Sequence, residues 1–183
     1  MSKDKKLVKK AQKGDSNAFG KLYDKYIDRI YRYIFIRVSN KTEAEDVTQQ
    51  VFLKAWKNIN RYETQKNTPF SSWLYTIAKN SIIDYYRKDR DHLDIDFVSD
   101  KISTSEKHQE EKTDTELRIE LVKNQLNRLS EDEQDVLIMR FIDEMSNKEV
   151  AKITGKTSGA VRVMQHRALK KLKKQIKKQY HDG

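Results

Sequence analysis

Cysteine is absent from the 183 residues, proline occurs once and glycine five times. The first absence excludes disulfide scaffolds, thiolate metal sites and cysteine nucleophiles. The scarcity of the other two leaves few points at which a helix is forced to stop. Long apolar runs are missing as well: Arg32 and Arg37 interrupt the best candidate, Ile30 to Val38, so no membrane span is expected. The opening MSKDKKLVKK is not followed by an apolar stretch, which argues against a signal peptide and for a cytoplasmic protein. There is no Gly-rich phosphate loop and no internal repeat. His92, His108 and His181 fall in a charged middle stretch or the tail, so no metal, cofactor or catalytic centre is predicted.

Charged residues make up 36% of the chain, hydrophobic residues another 36%, and the mean hydropathy is −0.94. That is enough apolar matter for small helical cores, and too little for one large enzyme core. The net charge of +10 points to a polyanionic partner. It is unevenly placed. Residues 1–88 carry 19 basic and 9 acidic side chains, residues 89–116 carry 4 against 10, and residues 117–183 carry 15 against 9. Two basic modules therefore flank an acidic stretch with few large apolar residues and no helical stripe, which reads as a flexible linker.

Outside that linker the periodicity is helical throughout, giving an all-α fold of two small domains. Phe19, Leu22, Tyr23, Tyr26, Ile27, Ile30, Ile34 and Val38 form one stripe, with Asp15 or Ser16 as N-cap. Thr42-Glu43-Ala44-Glu45 is a capping-box pattern opening the next helix. Thr68-Pro69 opens a third, running to about Lys88, with Pro at the tolerated first position. In the second module Ile119, Val122, Leu126 and Leu129 form a stripe, and capping boxes begin at Ser130 and Ser146. A final helix spans Ser158 to about Gln179.

The sharpest local signal is NKEVAKITGKTSGAVRVMQ at 147–165. Two steeply crossing helices need a small residue at their closest contact, here Ala151, and a sharp turn, here Gly155. Val161 and Met164 supply the second helix's inward face. The pattern fits a helix-turn-helix; the alternative is an ordinary helical hairpin with a Gly cap. With Val161 inward, Gly159, Arg162, Val163, His166, Arg167, Lys170 and Lys173 point outward. Nine basic residues and no acidic one lie between Lys156 and Lys178. In a major groove, Thr157 or Ser158 at the helix N-terminus would meet phosphate, Arg162 and His166 would reach base edges, and the later lysines would follow the backbone.

In the first module the helix from Glu43 to Ile59 has a core stripe of Ala44, Val47, Val51, Phe52, Ala55, Trp56 and Ile59. Its opposite arc carries Asp46, Gln49, Gln50, Leu53 and Lys57, either a solvated face or a docking surface for another protein. On the third helix Phe70, Trp73, Leu74, Ile77, Ser81 and Tyr85 face one way, and Ser72, Thr76, Lys79, Asn80, Ile83 and Arg87 the other, with Tyr86 beside them. Cations next to rings suit an unpaired nucleic-acid strand, since bases stack on aromatic faces and phosphates attract Lys and Arg; such Tyr residues also serve as ordinary packing. Asn60 to Asn67 would be the loop entering this helix.

The order AEDVTQQVFLKAWKNINRY (44–62), PFSSWLYTIAKNSIIDYYRK (69–88), acidic linker, LSEDEQDVLIMRFIDEMSNKEVAKITGKTSGAVRVMQHRALKKLKK (129–174) closely resembles bacterial RNA polymerase sigma factors of the small extracytoplasmic-function group, over about residues 16–178. The resemblance implies a dissociable, non-enzymatic factor that directs core polymerase to promoters. It implies docking of Asp46, Gln49, Gln50 and Leu53 on the clamp helices of the largest polymerase subunit, and a further contact with the polymerase flap. Thr76, Lys79, Asn80, Ile83, Tyr86 and Arg87 would read and help open the minus-ten element. Thr157, Ser158, Gly159, Arg162, Val163, His166, Arg167 and Lys170 would read the minus-thirty-five element. An anti-sigma protein is a further partner common in the family. Three positions depart from the pattern: Gln50 replaces the usual Glu, Thr76 and Ile77 stand where housekeeping sigma factors carry paired Trp, and Gln165 sits inward where Leu is usual. The chain ends soon after the recognition helix, so no appended sensor domain is expected. The competing reading is a stand-alone helix-turn-helix regulator that finds its operator without polymerase.

Overall fold

The computed structural model describes residues 3–38, 40–63, 68–95 and 124–181, the side chains of 89–95 and 178–181 excepted. The helices are α1 (Lys3–Ala11), α2 (Ser16–Val38), α3 (Lys41–Lys57), α4 (Phe70–Ile95), α5 (Glu131–Leu137), α6 (Asn147–Thr154) and α7 (Ser158–His181). A 3-10 turn at Ile59–Arg61 follows α3, and a π-type turn at Ile138–Ile142 follows α5. No strand occurs among the described residues.

Local chemistry accounts for the boundaries. The Asp15 carboxylate accepts from the Ala18 N–H and caps α2. For α3 the cap is Asn40, whose side-chain oxygen accepts from the Glu43 N–H at 3.1 Å. The helix thus starts ahead of Thr42, because a competent capping side chain stood earlier in the chain. Pro69 lies immediately before α4, its carbonyl accepting from the Trp73 N–H. That helix continues past Lys88 to Ile95: DRDHLDI contains neither Gly nor Pro, so nothing in it breaks the ladder. Ile119 and Val122 lie outside the described residues. Both capping boxes form, Ser130 with Glu133 and Ser146 with Glu149. Gly155 closes α6 at φ 68°, left-handed backbone that glycine adopts without a Cβ penalty.

Helices α1 to α4 bury Val8, Leu22, Ile30, Ile34, Val51, Leu74 and Ile82 together, each at most 1% exposed. Rings of Tyr62, Phe70 and Trp73 pack around the 3-10 turn at centroid distances of 5.3–5.7 Å, and the Gln12 side chain of α1 donates to the Ile59 and Tyr62 carbonyls. The second module does not keep a separate core. Val136, Ile138, Met139, Met145, Val150 and Val161 join the cluster of the first, with α6 packed on α4 and the π-type turn on α2. Only Leu126, Leu129, Leu137 and Ala168 form a satellite, and Ile36 of α2 packs against it. Helices of seven and eight residues bury too little surface to enclose Ile138 and Met139 alone.

Candidate polymerase and nucleic-acid interfaces

On α3 the packed side is Ala44, Val47, Val51, Phe52 and Ala55, and Asp46, Gln49, Gln50, Leu53 and Lys57 face solvent. Leu53 is 57% exposed, an apolar side chain left uncovered. It borders an open groove of about 390 Å³ whose walls are Phe19 and Tyr23 of α2 with Gln49, Phe52 and Trp56 of α3. The Phe19–Trp56 and Tyr23–Phe52 ring pairs, 4.9 and 4.7 Å apart, set its floor. Four aromatic rings and a leucine beside two amides and a carboxylate make a surface shaped for a helix with an apolar ridge and polar flanks.

On α4, Thr76, Asn80, Ile83, Tyr86 and Arg87 are exposed in one band. Neighbours orient three of them. The Thr76 hydroxyl donates to the Ser72 carbonyl, the Tyr86 hydroxyl donates to the Arg37 carbonyl at 2.5 Å, and Arg87 pairs with Asp84. Ser72, expected on this outward side, is buried at 2%, because α6 covers that flank of α4. Lys79 is likewise not free: its ammonium lies 3.0 Å from Asp135 and 3.7 Å from Asp132 of α5. Burial works against its charge, but the carboxylates of Asp135, Asp132 and Glu131 outweigh that and raise its pKa above the ordinary lysine value. A cavity of about 230 Å³ beside Tyr62, Trp73 and Thr76 is walled on its far side by Lys152 of α6.

The residues the sequence did not single out sit where the modules meet. Asp135, 1% exposed, accepts from the Tyr33 hydroxyl at 2.8 Å, from Arg37 at 2.6 Å and from Lys79 at 3.0 Å. Asp143 accepts from the Tyr75 hydroxyl at 2.7 Å and stands 3.5 Å from Arg32. Burial raises the Asp143 pKa, opposed by Tyr75 and Arg32. Burial also pushes the Tyr33 and Tyr75 hydroxyls far above the usual phenol value, with the facing carboxylates adding to the shift, so both phenols remain donors. A signal was available: Tyr75, Ala78 and Ile82 form a second apolar arc on α4, and a helix apolar on two sides is covered on two sides.

In the second module Ala151 is 8% exposed at the helix crossing and Val161 is fully buried. Thr157 accepts from the Ala160 N–H at 3.1 Å and so caps α7. Gly159, Arg162, Val163, His166, Arg167 and Lys170 are exposed, and Ser158 half-buried. The half-buried Gln165 finds its partner in Arg140 of the π-type turn, which donates to its side-chain oxygen at 3.2 Å and also to the Met145 carbonyl. Lys171 pairs with Glu133 at 2.7 Å, holding the glutamate below its ordinary pKa and fixing α7 on α5. Among the described residues no group of three or more His, Asp or Glu is placed to hold a metal. None of their helices is long and apolar enough to cross a membrane.

Two family descriptions match in the order of the modules: sigma-70 region 2 over residues 22–92, and sigma-70 region 4 over residues 119–172. The ECF RNA polymerase sigma factor BldN of Streptomyces coelicolor is 34% identical over 168 residues, covering 91% of this chain and 63% of BldN. SigW of Bacillus subtilis, also an ECF RNA polymerase sigma factor, is 30% identical over 190 residues, covering 94% of this chain and 96% of SigW. The chain thus spans less than two thirds of BldN and nearly all of SigW. In fold it is similar to CnrH, solved in complex with the cytosolic domain of CnrY (TM-score 0.73, 24% identity, 95% of this chain and 97% of that one). It is also similar to RpoE of Bartonella quintana, solved with the anti-sigma factor NepR (TM-score 0.64, 24% identity, 87% and 96%). With a docking face on α3, a cationic band on α4 and a helix-turn-helix ahead of a basic α7, matched by both regions in sequence order, the chain belongs to the sigma-70 family, as an RNA polymerase sigma factor of the extracytoplasmic-function group.

Proposed function

We propose that this sigma factor docks on the clamp helices of the largest polymerase subunit through Asp46, Gln49, Gln50 and Leu53, with the groove beside Leu53 receiving an apolar ridge. The observation that carries the assignment is Leu53 itself, 57% exposed at the rim of an aromatic groove. An uncovered leucine in such a setting is what a partner surface requires. Residues 1–88 form the unit that holds the polymerase and reads the minus-ten element through Thr76, Lys79, Asn80, Ile83, Tyr86 and Arg87. Residues 117–183 read the minus-thirty-five element through Thr157 to Lys170 and contact the flap. The acidic stretch 89–116 links them, its first residues being the end of α4. The linkage places both units on one duplex at high effective concentration once polymerase sets their spacing. Their site of action is the cytoplasm, and an anti-sigma protein is the regulatory partner.

The deciding experiment measures binding of Asp46→Arg and Leu53→Asp chains to core polymerase by fluorescence anisotropy. Both side chains are exposed, so helicity should be retained. A weakening of tenfold or more is expected from each, through charge reversal at the rim and loss of the apolar anchor. Unchanged affinity in both would remove the docking assignment. The stand-alone regulator reading is not favoured, since both family regions match and such a regulator has no use for the α3 surface.

A further inference from the structure

The acidic start of α5 occupies the cationic face of α4. Asp135 and Asp132 hold Lys79 at 3.0 and 3.7 Å; Asp132 also holds Lys156, from the turn of the helix-turn-helix, at 2.9 Å. Beside them α6 lies on α4, Ser72 is buried, and Lys152 walls the cavity next to Thr76 and Trp73. Carboxylates here stand where nucleic-acid phosphates would stand.

Distance gives an independent argument. The names of the two promoter elements place them ~25 base pairs apart, about 85 Å along a duplex at 3.4 Å per pair. In this chain α4 and α7 both pack on α6, and two helix spacings of 8–10 Å put their axes about 20 Å apart. Even a helix the length of α7, about 36 Å at 1.5 Å per residue, does not cover the difference. The stretch 96–123, about 28 residues, extends to roughly 95 Å. The covalent link therefore permits the separation that the closed arrangement forbids.

We infer that the second module is a lid on the promoter-reading face of the first: in the free chain α5 and α6 cover α4 with carboxylates in the place of phosphates, and the chain opens along this junction when it is loaded on polymerase. The inference rests on the assignment of α4 to the minus-ten element. It makes the free factor a poor DNA binder and couples polymerase loading to DNA reading, since whatever separates the modules releases Lys79 and uncovers the cavity in one step.

The chain's lack of cysteine makes a clean test possible. Cysteines replacing Lys9 and Lys174, both exposed, carry a donor and an acceptor dye on the full-length chain. High energy transfer is expected in the free chain, a clear fall with Asp135→Asn, and a fall of at least half when core polymerase is added. Because Asp135 is buried and its variant can misfold, Asp132→Asn, at an exposed position, is read separately. Its affinity for a single-stranded minus-ten oligonucleotide should rise three- to tenfold, with helicity unchanged. Low transfer in the unmodified free chain, unchanged transfer on polymerase binding, or an unchanged oligonucleotide affinity in Asp132→Asn would each overturn the lid. Polymerase that fails to bind at all, with transfer high in the free chain and lost in Asp135→Asn, would instead sink the docking assignment and leave the closed junction standing.

Discussion

Replacing Asp135 by Ala should be the most damaging single change at the junction, and the reason is what it leaves behind. Three donors converge on this carboxylate: the fully buried Tyr33 hydroxyl, the Arg37 guanidinium in a residue 9% exposed, and Lys79, whose side chain is 37% exposed. Removing one partner of a buried ion pair strands the other charge and costs about 3–5 kcal/mol. Lys79→Ala, by contrast, leaves Asp135 its two buried donors and removes a partner that water already screens, costing at most ~1 kcal/mol. Urea unfolding followed by circular dichroism at fixed pH separates the two. A double variant, Arg37→Met with Asp135→Leu, removes both charges and should fall short of the summed single losses by about 2 kcal/mol. The loss seen for Asp135→Ala is limited by the free energy of opening the junction, because an opened chain hydrates Arg37. A loss under ~1 kcal/mol, or strict additivity in the cycle, would therefore show that the cluster is not closed in solution, and would refute the reasoning.

Other outcomes follow from single positions. Gly155→Ala should destabilise the helix-turn-helix by about 1–2 kcal/mol: the backbone stands at φ 68° and a Cβ there meets nothing within 4 Å, so the cost is conformational alone, and Gly155→Asn should lose less. Arg162→Ala should weaken selection among upstream promoter sequences, whereas Lys173→Ala should lower affinity for all of them alike; identical behaviour across a promoter panel would contradict the split. In pH titration, Glu133 is held below its ordinary pKa chiefly by Lys171, and Glu149 chiefly by Ser146. Their stabilisation is complete above the ordinary glutamate value and lost as pH falls through the depressed folded-state values. Asp143 has the opposite sign: its raised pKa favours the folded state below the ordinary aspartate value, an advantage lost as pH rises through the folded pKa. Asp143→Asn should therefore raise the melting temperature at pH 7, and the gain should vanish at low pH.

The parts of the fold that local chemistry determines were legible in the sequence. Ser130, Ser146 and Gly155 carry their roles in their own side chains or in the lack of one, and α2 and α3 show their buried faces as stripes. Asn40 took the cap expected near Thr42 because either residue can cap and the chain offers Asn40 first. The outward residues of α3 and α7 were read correctly as exposed, since each helix has one packed side. On α4 the same reasoning fell short. Tyr75, Ala78 and Ile82 make a second apolar arc, and a two-way division into core face and nucleic-acid face left no place for it. Asp135, Asp143 and Arg37 were invisible as core residues, because nothing in a charged side chain announces its burial; that depends on partners up to 102 positions away. Gln165 posed a question of the same kind, which Arg140 answers from 25 positions earlier.

The central claim, that this chain brings RNA polymerase to promoters, is tested most directly by run-off transcription with purified core polymerase on a randomised promoter library. The account predicts transcripts that start downstream of two recurring elements, with output lost in Asp46→Arg and the upstream element blurred in Arg162→Ala. Sequence-specific DNA binding by the chain alone, with no transcripts when core polymerase is supplied, would contradict it.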